Sequence, residues 1–220
     1  MLKSQKDIIY RYLCAGELDE LQECLKGDRS SFRALIPFLL HPETVIRWRA
    51  AEALGKLSGE REKTKPNSAK ETIRRLFWGM NDESGNLIWA APEAIAEILW
   101  NVPKLIDEFG SVLASHFDLE PFEAGVHWGV ARLTARQPAV FAEFADSLKH
   151  SLHAADPAIR AYSVIALGNI VGNGAKKAIA PLLDDSTTIY IYDLERHELR
   201  ETSVAEICRE VLNNIEQKGD

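Results

Sequence analysis

The sequence predicts an all-α chain: a right-handed α-α superhelix, a solenoid of about four to five helical pairs, with a small β-hairpin near the C-terminus. Three observations predict it. Alanine, the best helix former, occurs 26 times among 220 residues, against 13 Gly and 9 Pro. Ile46-Arg47-Trp48-Arg49-Ala50-Ala51-Glu52-Ala53-Leu54-Gly55-Lys56-Leu57 and Ile159-Arg160-Ala161-Tyr162-Ser163-Val164-Ile165-Ala166-Leu167-Gly168-Asn169-Ile170 share the pattern apolar-Arg-x-x-small-x-x-Ala-Leu-Gly-x-apolar. Related stretches begin at Leu87 and Phe122, so successive copies start 41, 35 and 37 residues apart. Periods of that length belong to units of two helices that must stack to bury their apolar faces.

In chain order, residues 4–27 give helical spacing through Ile8, Ile9, Tyr12 and Leu13, then Leu18, Leu21, Cys24 and Leu25, broken at Gly16 and Gly27. Each repeat copy is preceded by a shorter apolar stretch: Leu35–Leu40, Ile73–Met80, Ile106–His116 and Phe141–His153, with Ile179–Leu183 echoing the first. These predict an outer helix, a turn and an inner helix per unit, the turns marked by His41-Pro42, Asn81–Gly85 and Ala155-Asp156-Pro157. On the inner helix, residues 50, 53, 54 and 57 share roughly 100° of arc, where Ala admits a close partner and Leu fills the space beside it. Gly59–Lys70, charged and carrying Pro66-Asn67-Ser68, reads as a mobile loop. Pro92 predicts either a kink or the first turn of a shorter helix. Gly168–Gly174 reads as a helix C-cap and turn. Thr187–Tyr192, β-branched and aromatic, reads as a strand returning through Glu198–Thr202; the alternative is a repeat helix opening at Leu199-Arg200. Ser203-Val204-Ala205-Glu206 reads as a capping box. The expected organisation is one repeat domain: a helical cap over 1–30, repeats over 31–183, and a hairpin with a capping helix over 184–220.

The Ile-Arg…Ala-Leu-Gly runs and the Asp156-Pro157 turn resemble the HEAT-like repeats of prokaryotic proteins, the armadillo-like variety named for bilin lyase subunits of phycobilisomes. The resemblance covers roughly Phe32 to Leu183. It implies an α-solenoid and leaves function open, because this repeat serves many unrelated roles. The copy beginning at Phe122 departs from it, with Gly129-Val130-Ala131 in place of Ala-Leu-Gly and no Arg after Phe122.

Composition narrows the function classes. A net charge of −7 and the absence of a dense Lys/Arg cluster argue against nucleic-acid binding. The longest uncharged run, Ala161–Ala175, is shorter than a membrane span and carries Ser, Asn and Gly. The first residues lack the apolar core of a signal peptide. Cys14, Cys24 and Cys208, an odd number without CxxC spacing, read as reduced thiols of a cytoplasmic protein. No catalytic set, metal motif or cofactor motif is expected; His150/His153 and His197-Glu198 are single pairs without fixed partners.

Residues 52, 55 and 59 fall within about 40° of Trp48 on the inner helix, opposite the arc expected to be buried. Across the units that row holds Trp48 and Glu52, then Trp89, Glu93 and Trp100, then Trp128, with Glu97, His127 and Arg132 beside it. A concave face lined by Trp and Glu suits a cationic group or basic peptide. The expected function is therefore a non-enzymatic module binding another protein or peptide. The alternative is an accessory subunit or enzyme handling a small molecule or chromophore, as the resemblance to bilin lyase subunits implies.

Overall fold

The computed structural model describes residues 4–27, 31–81 and 87–218. It is mostly helical, with a two-stranded antiparallel hairpin near the C-terminus. The chain divides into two compact units, residues 1–105 with 192–198 and residues 106–191 with 199–220.

In the first unit, α1 (Gln5–Ala15) opens on a capping box: the Asp7 N–H donates to Ser4 Oγ and the Ser4 N–H to the Asp7 carboxylate. Gly16, at φ 76°, ends it in the left-handed region. Next, α2 (Leu18–Leu25) buries Leu18, Leu21 and Leu25. α3 (Ser31–Leu35) tightens into a 3-10 turn over Ile36–Leu40, and the long helix α4 (Thr44–Thr64) follows. Then come α5 (Ser68–Met80), α6 (Ala91–Asn101) and a 3-10 turn at Pro103–Leu105. Of the Asn81–Gly85 turn, residues 82–85 lie outside the described residues.

One expectation changes here, and one left open is decided. The loop expected over Gly59–Lys70 shrinks to Lys65–Asn67, because α4 continues to Thr64. Gly59 does not break the helix; it makes room for α6, since a Cβ there would lie 3.1 Å from Asn101 Cβ. Glu62 then ties the two helices, accepting from the N–H groups of Asn67 (2.8 Å) and Ala69 (3.1 Å) and pairing with Lys104 Nζ (3.0 Å). Of the two readings of Pro92, the first-turn one holds: α6 starts at Ala91. There the missing N–H of proline costs no intrahelical bond.

The second unit holds α7 (Ile106–Ala114), α8 (Glu123–Thr134), a 3-10 stretch over Pro138–Phe144 leading into α9 (Ala145–Ser151), and α10 (Pro157–Val171). Asp156 caps α10 by accepting from the Ala158 N–H at 2.8 Å, with Pro157 in the first turn. Gly172, at φ 56°, ends it. α11 (Lys176–Ile179) runs into a 3-10 turn over Ala180–Asp184. The hairpin pairs β1 (Thr188–Asp193) with β2 (Glu198–Ser203), so the strand reading of Leu199-Arg200 holds and the helix alternative does not. α12 (Val204–Lys218) opens on the expected capping box, the Ser203 N–H donating to Glu206 Oε2 (3.0 Å) and the Glu206 N–H to Ser203 Oγ (3.2 Å).

The repeated motif has the same physics in both units. Arg47 Nη1 donates to the carbonyls of His41 (2.6 Å) and Pro42 (3.1 Å); Arg160 Nη1 donates to those of Ala154 (2.8 Å) and Ala155 (3.0 Å). Each Arg thus clamps the turn that feeds its own helix, giving carbonyls of that turn a charged donor. The motif glycines mark crossings: Gly55 lies against the α6 backbone at Glu97, and Gly168 against Val211 of α12.

Candidate functional site

Six of the expected site residues fall in the first unit. Trp48 and Glu52 are on α4, Trp89 is in the segment leading into α6, and Glu93, Glu97 and Trp100 are on α6. His127, Trp128 and Arg132 are on α8, in the second unit. On α4 the row through Trp48 is covered rather than open. Gly55 and Gly59 face α6, and Glu52 is only 3 % exposed.

The group covering Trp48 and Glu52 is the distal end of the hairpin, which belongs to the same unit. Tyr192 stacks on Trp48, ring centroids 5.3 Å apart and planes 9° from parallel. Its hydroxyl donates to Glu52 Oε2 at 2.8 Å, and His197 Nδ1 lies 3.0 Å from the same oxygen. Lys56 Nζ reaches Glu52 Oε1 at 3.2 Å and Asp19 at 3.0 Å. Burial, then the Glu52 carboxylate, push the Tyr192 hydroxyl far above its ordinary pKa, so it remains a donor. Arg49 completes the latch: Nε donates to the His197 carbonyl (2.6 Å), and Nη1 to those of Leu13 (2.8 Å) and Cys14 (2.9 Å). His197, at φ 56°, takes the left-handed conformation that turns this carbonyl into reach. The acidic, aromatic chemistry expected to hold a partner's cation is thus satisfied within the chain by a Tyr, a His and a Lys.

The segment Trp89–Glu93 is different. Trp89 is 61 % exposed, and the Arg47 guanidinium lies over its ring, 5.7 Å from the centroid. Glu93 sits in the first turn of α6 and is half-buried as a residue, but its Oε2 is sealed from solvent and, among the described residues, has no hydrogen-bond partner. The carboxyl accepts from its own backbone N–H and feels Arg47. Desolvation outweighs both and raises its pKa from 4.5 to about 7. Arg47 is already engaged by two carbonyls and Thr44 Oγ1 at 3.1 Å. Glu93 therefore keeps a buried carboxylate oxygen that no donor meets among the described residues.

A pH effect follows. A carboxyl with a raised folded pKa binds more protons folded than unfolded between about pH 4.5 and 7, so stability falls as pH rises through that window. The full penalty is of order 3 kcal/mol and is present above pH 7. Glu93→Gln is expected to flatten this slope and to raise the urea midpoint at pH 8 relative to the wild type. Parallel wild-type and variant profiles from pH 5 to 8 would refute the assignment.

The remaining sites are packed. His127 is buried against Phe117 (ring centroids 4.3 Å), with Nδ1 2.7 Å from the Glu123 carbonyl and Nε2 3.0 Å from Ser151 Oγ. Burial holds its pKa below the ordinary value, so it is the neutral ring, with Nδ1–H donating. Trp128 is 6 % exposed, Trp100 and Arg132 are half-buried, and Glu97 is buried at the Gly55 crossing. Trp78 was not among the expected residues, yet it is 78 % exposed. Its signal was available: Ile73, Leu76 and Met80 form the buried stripe of α5, and residue 78 lies on the opposite side of a helical wheel. Tyr192 and Arg49 were also missed, and His197, read only as a pair with Glu198, turns to Glu52 instead. Among the described residues, no three His, Cys, Asp or Glu gather as a metal site, and no helix is long and apolar enough to cross a membrane.

No protein-family model matches the chain, and no solved structure matches it. An uncharacterized protein of Archaeoglobus fulgidus is 30 % identical over 182 residues, covering 82 % of this chain and 94 % of the archaeal one. This chain belongs to the family of that archaeal protein. The match is longer than either compact unit, so the kinship extends over both.

Proposed function

We propose that this chain is a HEAT-like repeat protein acting as a non-enzymatic interaction module, and that it holds a Lys or Arg side chain of a partner protein at Trp89 and Glu93. The repeat reading is supported by Arg47 and Arg160 clamping equivalent turns, and by Gly55 and Gly168 sitting at equivalent crossings of inner helices. The binding reading rests on one observation, the buried Glu93 Oε2, without a donor among the described residues and close in sequence to the exposed Trp89. A buried acceptor in that condition costs about 1–3 kcal/mol, which an incoming N–H group recovers. The exposed Trp89 beside Arg47 supplies the aromatic surface typical of interface anchors. The net charge of −7 favours a basic partner.

The test is selection of displayed random peptides on the immobilised chain. Wild type is expected to enrich sequences carrying Lys or Arg, and Trp89→Ala/Glu93→Gln to lose them. Affinity for an enriched peptide is expected to climb from pH 6 to 8, as Glu93 ionises. The same enriched set from the double variant would sink the proposal.

A further inference from the structure

The first unit carries a cavity remote in sequence from Trp89 and Glu93. It measures about 690 Å³ and lies between the end of α2, the start of α3 and the C-terminal half of α4. That volume is within the range of small-molecule sites. Its lining divides by chemistry. Leu25 and Leu57 are buried and form an apolar floor, and Phe32 adds an aromatic wall. Among the described lining residues, Lys26, Arg61 and Lys65 bring three cations to it, against one carboxylate, Glu60, which is held by Lys63 Nζ at 2.6 Å. In a chain of net charge −7, this concave surface is locally positive.

Arg61 gives the site its direction. Its guanidinium lies over the Phe32 ring, 4.8 Å from the centroid. Stacking occupies the face of the guanidinium and leaves the N–H edge outward. Among the described residues, no carboxylate pairs with Arg61 and no acceptor takes its edge donors. Lys26, by contrast, is drawn to Glu23 at 3.0 Å. The fork of Arg61 matches the two oxygens of a carboxylate, sulfonate or phosphate, and the floor beside it matches an apolar body.

We propose that this cavity binds a small amphipathic anion, an aromatic or aliphatic body bearing one anionic group, with that group on Arg61 and the body against Leu25, Leu57 and Phe32. The site is independent of the Glu93 surface, so either can stand without the other.

The test uses 2-naphthoate as probe against the isotope-labelled full chain, followed by amide chemical shifts. Shifts are expected at Leu25, Leu57 and Arg61. The neutral analogue 2-naphthalenemethanol, and 2-naphthoate on Arg61→Gln, are each expected to bind about ten-fold more weakly. Arg61 is half-buried at the surface, and an unchanged amide spectrum away from the cavity confirms that the variant folds. Equal affinity for acid and alcohol, equal affinity of wild type and variant, shifts centred elsewhere, or no shifts up to the solubility of the probe would each overturn the proposal.

Discussion

Gly55→Ala is expected to destabilise the chain by about 3 kcal/mol, even though Ala is by itself the better helix former by about 1 kcal/mol. A Cβ at residue 55 would lie 2.6 Å from Glu97 Cβ and 2.7 Å from the Glu97 carbonyl carbon and oxygen. Two of those three atoms are backbone, so α6 as a whole must back away from α4. Ala53, Leu54 and Leu57 of α4 and Ala94, Ile95 and Ile98 of α6 are all buried, and separating the helices loosens their packing. Gly168→Ala provides the contrast. There the first obstacle is Val211 Cγ1, a side-chain atom, and Val211→Ala is expected to restore most of the loss. No side-chain truncation on α6 can do the same for Gly55→Ala. Urea denaturation of the two single variants and the Gly168→Ala/Val211→Ala pair checks both statements. A Gly55→Ala midpoint equal to that of the wild type would show that the α4–α6 crossing is not tight.

These glycines show what local sequence could and could not say. The recurrence of Ala-Leu-Gly fell on two helices, α4 and α10, whose glycines lie against a neighbouring helix, because close packing of helices demands small residues at the contact. It did not say which neighbour fills the space, so the arc through Trp48, Glu52 and Gly55 was expected to be open. The capping box at Ser203–Glu206, the end of α1 at Gly16 and the strand character of Thr188–Tyr192 were readable because each depends on residues a few positions apart. Glu52 was not, since its partners Tyr192 and His197 lie 140 and 145 residues away. Trp89 could not be aligned with Trp48, because Pro92 places the start of α6 after it. Glu62 sits in a charged stretch that reads as loop, yet its carboxylate holds the start of α5.

Glu52→Ala is expected to be the most damaging single change in a charged side chain, costing about 3–5 kcal/mol. The carboxylate is 3 % exposed and serves three donors, so its removal strands the Tyr192 hydroxyl inside the unit. Lys56 keeps Asp19 and is spared. The damage should be local first: amide exchange over residues 192–198 is expected to accelerate, with the Trp48–Tyr192 stack lost from the spectrum of Trp48. Tyr192→Phe separates the contributions. It keeps the ring on Trp48 and the His197 contact with Glu52, and is expected to cost only about 1 kcal/mol. Glu52→Gln lies between the two, since an amide oxygen still accepts from Tyr192 but the ion pair with Lys56 is gone. If Glu52→Ala leaves exchange over 192–198 unchanged, the hairpin end is held by Arg49 and its carbonyl contacts instead. Arg49→Ala should then release it, because the Arg49 fork hydrogen-bonds the His197 carbonyl and the carbonyls of Leu13 and Cys14, tying His197 to α4 and α1.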